Sequence, residues 1–137
     1  MGAFFAAVSF ERGGRPDYEA LYGLFIDGGR LIRSGPDDPD VATVEEFVAS
    51  RLKLVDSGAL EQFRETETGA RTDVFGSVAH RLSTYGKSGV SNGVPFAANG
   101  VISTQFVHTV AGWRMSSMAW DDERPGLSVP QLSAVAR

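Results

Sequence analysis

Residues 74–85 read Val74-Phe75-Gly76-Ser77-Val78-Ala79-His80-Arg81-Leu82-Ser83-Thr84-Tyr85. Apolar and polar residues alternate through the stretch, and β-branched and aromatic side chains are frequent, which predicts one long strand. Strand side chains point to alternate faces. Val78, His80, Leu82 and Thr84 therefore share one face, and Ala79, Arg81, Ser83 and Tyr85 share the other. Upstream, residues 63–68 read as a strand ending near Gly69-Ala70. Downstream, residues 86–100 hold Gly86, Gly89, Gly93, Gly100 and Pro95, the composition of a long, flexible hairpin connection. Residues 101–110 and 113–121 are two more strands, joined tightly at Ala111-Gly112.

The first half has a different period. Thr43 and Glu46 stand three apart, the spacing of a capping box, in which the hydroxyl accepts from an amide and the carboxylate reaches back. Val44, Phe47, Val48, Leu52 and Val55 then repeat at helical spacing up to Gly58. Phe4, Phe5 and Val8 share a side of an earlier helix that ends at Gly13-Gly14. Tyr18, Leu21, Tyr22 and Phe25 form the stripe of another, opened by Pro16-Asp17 and stopped at Gly28-Gly29. Leu31-Ile32 reads as a short strand, and residues 34–40 as a solvated loop. The tail from Pro125 carries no period and is expected to pack loosely or to reach a partner. Helices first, with one short strand among them, then four strands indicate a single α+β domain over residues 1–137 and not a repeating parallel fold.

Composition narrows the function. A length of 137 residues suits one domain with a real core. The chain has no cysteine, which removes disulfides and cysteine–metal sites. A net charge of −4 argues against nucleic acid as a partner. The apolar run over the first ten residues ends at Glu11 and Arg12, too early for a membrane span. A cytoplasmic protein is expected. No glycine-rich phosphate loop follows a strand. Asp37, Asp38 and Asp40 miss the calcium-loop spacing. His80 and His108 lack a helical metal-ligand spacing, so neither metal nor cofactor is expected.

The run Asp73 to His80, followed by Ser83-Thr84-Tyr85, Ser103-Thr104-Gln105, Gly112-Trp113-Arg114-Met115 and Trp120 with Asp121, Asp122 and Glu123, resembles the nuclear transport factor 2-like superfamily. Within it the chain is similar to small bacterial members near ketosteroid isomerase and the polyketide cyclases. The resemblance implies three N-terminal helices on a strongly curved, mostly antiparallel sheet shaped as a cone-shaped barrel with an apolar interior. It also implies a homodimer formed through the sheet. Members include isomerases, cyclases and dehydratases, and also proteins that only bind or assemble, so the fold does not fix the chemistry.

Histidine titrates near neutrality, so His80 is the candidate acid–base group if its face lines the cone. Asp73, or Glu65 or Glu67 on the neighbouring strand, would orient its ring. The competing reading is a His80 satisfied by a neighbour or at a dimer face, with the carboxylates paired to Arg64, Arg71 or Arg81. Tyr22, Phe63, Tyr85, Gln105, Met115 and Trp120 are candidate ligand contacts for an apolar small molecule. The isomerase set of general-base Asp, buried acid and tyrosine does not map fully. Tyr22 and Asp121 fall in suitable regions, but Ile102 and Thr104 stand where a polar group is expected. Two functions follow: a non-redox isomerase, cyclase or dehydratase, or a noncatalytic binding or dimeric assembly module.

Overall fold

The computed structural model describes residues 1–134. Helix α1 (Gly2–Val8) leads into a 3-10 helix (Tyr18–Gly23), strands β1 (Phe25–Arg33) and β2 (Asp40–Thr43), and helix α2 (Val44–Asp56). Strands β3 (Leu60–Phe75), β4 (Val78–Ser91), β5 (Val94–Thr109) and β6 (Gly112–Asp122) complete the chain. The six strands form one open sheet in the order β2-β1-β6-β5-β4-β3. Every neighbouring pair is antiparallel except β1 with β6. The fold class is α+β, with helices against one face of the sheet; the barrel is not closed, because β2 and β3 are its edges.

The capping box forms as the spacing predicts. Thr43 Oγ1 accepts from the Glu46 amide at 3.1 Å, and Glu46 Oε1 accepts from the Thr43 amide at 2.9 Å. Such a cap stabilises a helix by about 1 kcal/mol. Phe47 and Val48 on α2, Phe4, Phe5 and Val8 on α1, and Tyr18 and Leu21 bury against Leu31, Tyr85, Ile102, Met115 and Met118 of the sheet.

Four sequence expectations change. The second helix is a single 3-10 segment, and Phe25 already belongs to β1, where it is buried. That strand runs nine residues, not two, because β6 supports one side and β2, unforeseen, the other. Residues 74–85 are not one strand. Gly76, at φ 55°, and Ser77 turn the chain, dividing the stretch between β3 and β4. Residues 86–100 are not a flexible connection: only Asn92 and Gly93, at φ 51° and 78°, form the turn. Positive φ at both central positions suits a tight hairpin whose twist matches its strands. The other glycines lie within β4 and β5, where two permit close packing. A Cβ on Gly89 would collide with the Gln62 carbonyl, and one on Gly100 with the Tyr85 phenol.

Up to residue 134 the tail packs on its own sheet. The Ala70 amide donates to the Ser133 carbonyl at 3.0 Å, and the Val129 amide to Glu123 Oε2 at 2.9 Å. Among the described residues, no helix is long and apolar enough to cross a membrane.

Candidate functional site

Phe63, Glu65 and Glu67 alternate along β3 and stand opposite Gly89, Lys87 and Tyr85 of β4. These side chains point toward the helices. Helix α1 crosses the same face and is fixed there by a short antiparallel bridge. Phe10 and Phe63 exchange backbone hydrogen bonds at 2.7 and 3.0 Å, and Ser9 Oγ accepts from the Glu65 amide at 3.1 Å. The helix divides the concave side into two spaces.

On one side lies an open cleft of about 780 Å³, with apolar walls from Phe5, Ala6, Val74, Phe106 and Trp113. Its polar floor is Glu67 with Arg81. The Arg81 guanidinium grips the Glu67 carboxylate at both ends, at 2.8 and 2.9 Å, and Ser83 Oγ adds a third donor at 2.5 Å. A further guanidinium N–H donates to Thr72 Oγ1 at 2.7 Å. Burial by itself would raise the Glu67 carboxyl, but the Arg81 and Ser83 hydrogen bonds outweigh it and hold the group below its ordinary range.

On the other side is a chamber of about 50 Å³ between α2, the 3-10 helix and the sheet, lined among others by Tyr18, Phe47, Arg51, Lys87 and Trp120. The Arg51 guanidinium lies over the Phe47 ring at 4.9 Å, and Trp120 meets that ring edge-on at 6.2 Å. Lys87 Nζ is 2.9 Å from Asp122 Oδ1, which also accepts from the Tyr85 hydroxyl. Burial first, and then this bond to Asp122, raise the Tyr85 phenol far above its ordinary range, so it acts as a fixed donor.

Glu65 lines both spaces. Its side chain is partly buried, and its carboxyl makes no hydrogen bond among the described residues. Burial pushes it up to about 7 against the opposing pull of Lys87 and Arg51. A carboxyl that changes protonation near neutrality and faces open space is equipped to take up and return a proton. Among the described residues, no group of three or more His, Asp or Glu side chains is placed to hold a metal ion.

No family model matches the sequence, and no curated protein matches it. Solved structures do. A candidate dehydratase of the nuclear transport factor 2-like family from Streptomyces avermitilis superposes with a TM-score of 0.67 at 22% identity, covering 90% of each chain. A protein from Kribbella flavida gives a TM-score of 0.70 at 13% identity over 90% of this chain and 85% of that one. A nuclear transport factor 2-like superfamily protein from Salmonella enterica serovar Typhimurium gives 0.66 at 14% identity, over 79% and 78%. The chain has the nuclear transport factor 2-like fold.

Within this nuclear transport factor 2-like fold, the residues singled out from the sequence divide between the two faces. His80 and Gln105 are register partners on the outer face. His80 Nε2 does meet Asp73 Oδ2, at 3.2 Å, but both side chains are more than half exposed and neither reaches the cleft or the chamber. The inward set is Ala79, Arg81, Ser83 and Tyr85: Tyr85 belongs to the core, Ala79 and Arg81 line the cleft, and Ser83 donates to Glu67 there, although Thr84 on the opposite face is buried as well. Gln105 is exposed beside Ser116, and Tyr22 is 46% exposed on the 3-10 helix. Phe63 and Trp120 line the chamber, Tyr85 donates to Asp122 at its edge, and Met115 is buried core. Sequence reasoning considered Glu65 only as a partner for His80 and passed over Arg51 and Lys87. The alternation that puts Glu65 and Glu67 on one face with Phe63 was visible. That Arg51 turns inward, on a helix rich in charge, was not.

Proposed function

We propose that this protein binds an apolar small molecule on the concave side of its sheet and moves a proton on it, with Glu65 as acid–base group. The carrying observation is the Glu65 carboxyl itself: partly buried, without a hydrogen-bond partner among the described residues, at the wall shared by cleft and chamber, and pushed up to about 7. As carboxylate it would take a proton from a carbon beside a carbonyl. The resulting Glu65 acid would return that proton to a different carbon, an isomerisation, or give it to a departing hydroxyl, releasing water. Arg51 and Lys87 supply positive charge beside the oxygen that becomes negative. The likeness to a candidate dehydratase supports a reaction of this class.

The test is proton exchange. A panel of apolar ketones and β-hydroxy carbonyl compounds is incubated in D2O and followed by NMR. Wild-type protein should speed deuterium uptake at the carbon beside the carbonyl, and Glu65→Gln should remove the acceleration. Exchange unchanged by Glu65→Gln would sink the acid–base role. Exchange no faster than buffer across the panel would favour binding alone.

A second reading, a dimeric assembly module, has its own support. Val74, Phe75 and Val78 around the β3–β4 turn are 62%, 77% and 51% exposed, an apolar patch of the kind that marks contact surfaces. Light scattering at micromolar concentration should give twice the chain mass. A monomer there removes this reading.

A further inference from the structure

The chamber holds two donors with nothing to donate to. Tyr18 is 3% exposed and lines the chamber, yet its hydroxyl makes no hydrogen bond among the described residues. Buried tyrosine hydroxyls normally find a partner. The Arg51 guanidinium faces the same space with its flank on Phe47 and has no carboxylate within 4.0 Å among the described residues. Among the described residues no polar side-chain atom is both completely sealed and without a partner, so the Tyr18 hydroxyl and the Arg51 guanidinium keep accessible surface, and both residues line the chamber.

The charge around that volume is one-sided. Arg51 and Lys87 are cationic, Arg33 acts on Arg51 from β1, and Asp122 is taken up by Lys87 and Tyr85. Glu65 is the remaining acid, and burial favours its neutral form. A planar guanidinium presents a fork that matches a carboxylate, and charge-assisted hydrogen bonds of this kind are the strong ones. The volume, about 50 Å³, exceeds the 10–15 Å³ that one water needs and suits a head group of three or four heavy atoms.

We infer that the chamber is a carboxylate subsite, in which Arg51 and Tyr18 together bind the acid group of an organic acid next to Glu65. The inference rests on the reading that the concave side is the ligand site, and it narrows the ligand class to carboxylic acids whose neighbouring carbons lie within reach of Glu65.

The probe is propanoate, with neutral, similarly shaped propanamide as control. Binding is followed by the NMR shift of the Trp120 indole N–H, on the chamber wall. Propanoate should give a saturable shift and propanamide none. Arg51→Gln should weaken propanoate at least tenfold and Tyr18→Phe severalfold, with melting temperatures confirming that both variants fold. Lys53→Gln, on the same helix but exposed, should bind as wild type does. Equal affinity in Arg51→Gln, propanamide binding as tightly as propanoate, or no saturable shift in the wild type would each overturn the subsite. The two proposals fail separately. Glu65→Gln should lose proton exchange yet still bind propanoate. Propanoate binding that ignores Arg51, with exchange that still needs Glu65, would remove the subsite and leave the acid–base reading intact.

Discussion

The carboxyls of Glu65 and Glu67 stand two residues apart on one face of β3, and their surroundings drive them in opposite directions. Glu67 is gripped by Arg81 and Ser83 and stays ionised. Glu65 has burial and no hydrogen bond, and it titrates near 7. Paired carboxyls held at different protonation states are how one site can keep a fixed charge and a mobile proton together.

Glu65 should cost stability as pH rises. Its folded pKa lies above the ordinary value of 4.5, so the folded protein holds more protons than the unfolded chain between 4.5 and about 7. Stability therefore falls across that window and is fully reduced above it. Glu65→Gln should be more stable than wild type at pH 8, by about 1–2 kcal/mol, with no such gain at pH 4. Thermal melts at both values check this. A gain independent of pH would show that titration is not the cause.

Arg81 and Glu67 should behave as a coupled pair. Their side chains are 26% and 8% exposed, so removing one leaves a poorly solvated charge. Arg81→Met should cost about 2–4 kcal/mol, and adding Glu67→Gln should recover part of it. Glu67 is held low, so its contribution is present above the unfolded pKa and lost as pH falls through the folded one. Urea titrations of the two single variants and the double variant measure the coupling. Additive effects would mean the pair contributes nothing.

Gly100→Ala should displace Tyr85. The new Cβ would meet the phenol and the Asp121 backbone carbonyl, and a carbonyl within a sheet has little room to move. Overpacking of this kind costs about 1–3 kcal/mol. The melting temperature should fall, and the near-ultraviolet circular dichroism of the tyrosine should change. An unaltered melt would show that the sheet gives way there.

Hydrogen exchange should be slow from Gly86 to Val90 and fast only at Asn92 and Gly93. Those glycine-rich ends are paired strand, joined to β5 from Gly86↔Asn99 to Ser91↔Val94. Uniformly fast exchange through residues 86–100 would restore the flexible connection that composition suggests.

Several features were legible in the sequence because their causes are local. The Thr43–Glu46 cap and the apolar repeat of α2 need only residues three and four apart. The fold class followed from helical periods giving way to alternation, and the β5–β6 hairpin from Ala111-Gly112. The face pairing of Ala79, Arg81, Ser83 and Tyr85 was also local; Asp73 was a candidate partner for His80, but the turn at Gly76-Ser77 that sets them opposite each other was not foreseen. Which of the two faces turns inward was decided only by where α1 and α2 pack, since alternation is symmetric until a core breaks it. That choice sends His80 to solvent and brings Glu65 inside. The glycines of residues 86–100 look like flexibility to a local reading, but long-range pairing makes Gly89 and Gly100 points of close approach. The chamber, too, is a tertiary object. Tyr18, Arg51, Glu65 and Lys87 come from four separate elements, and only burial gives them a common space and Glu65 a pKa fit for proton transfer.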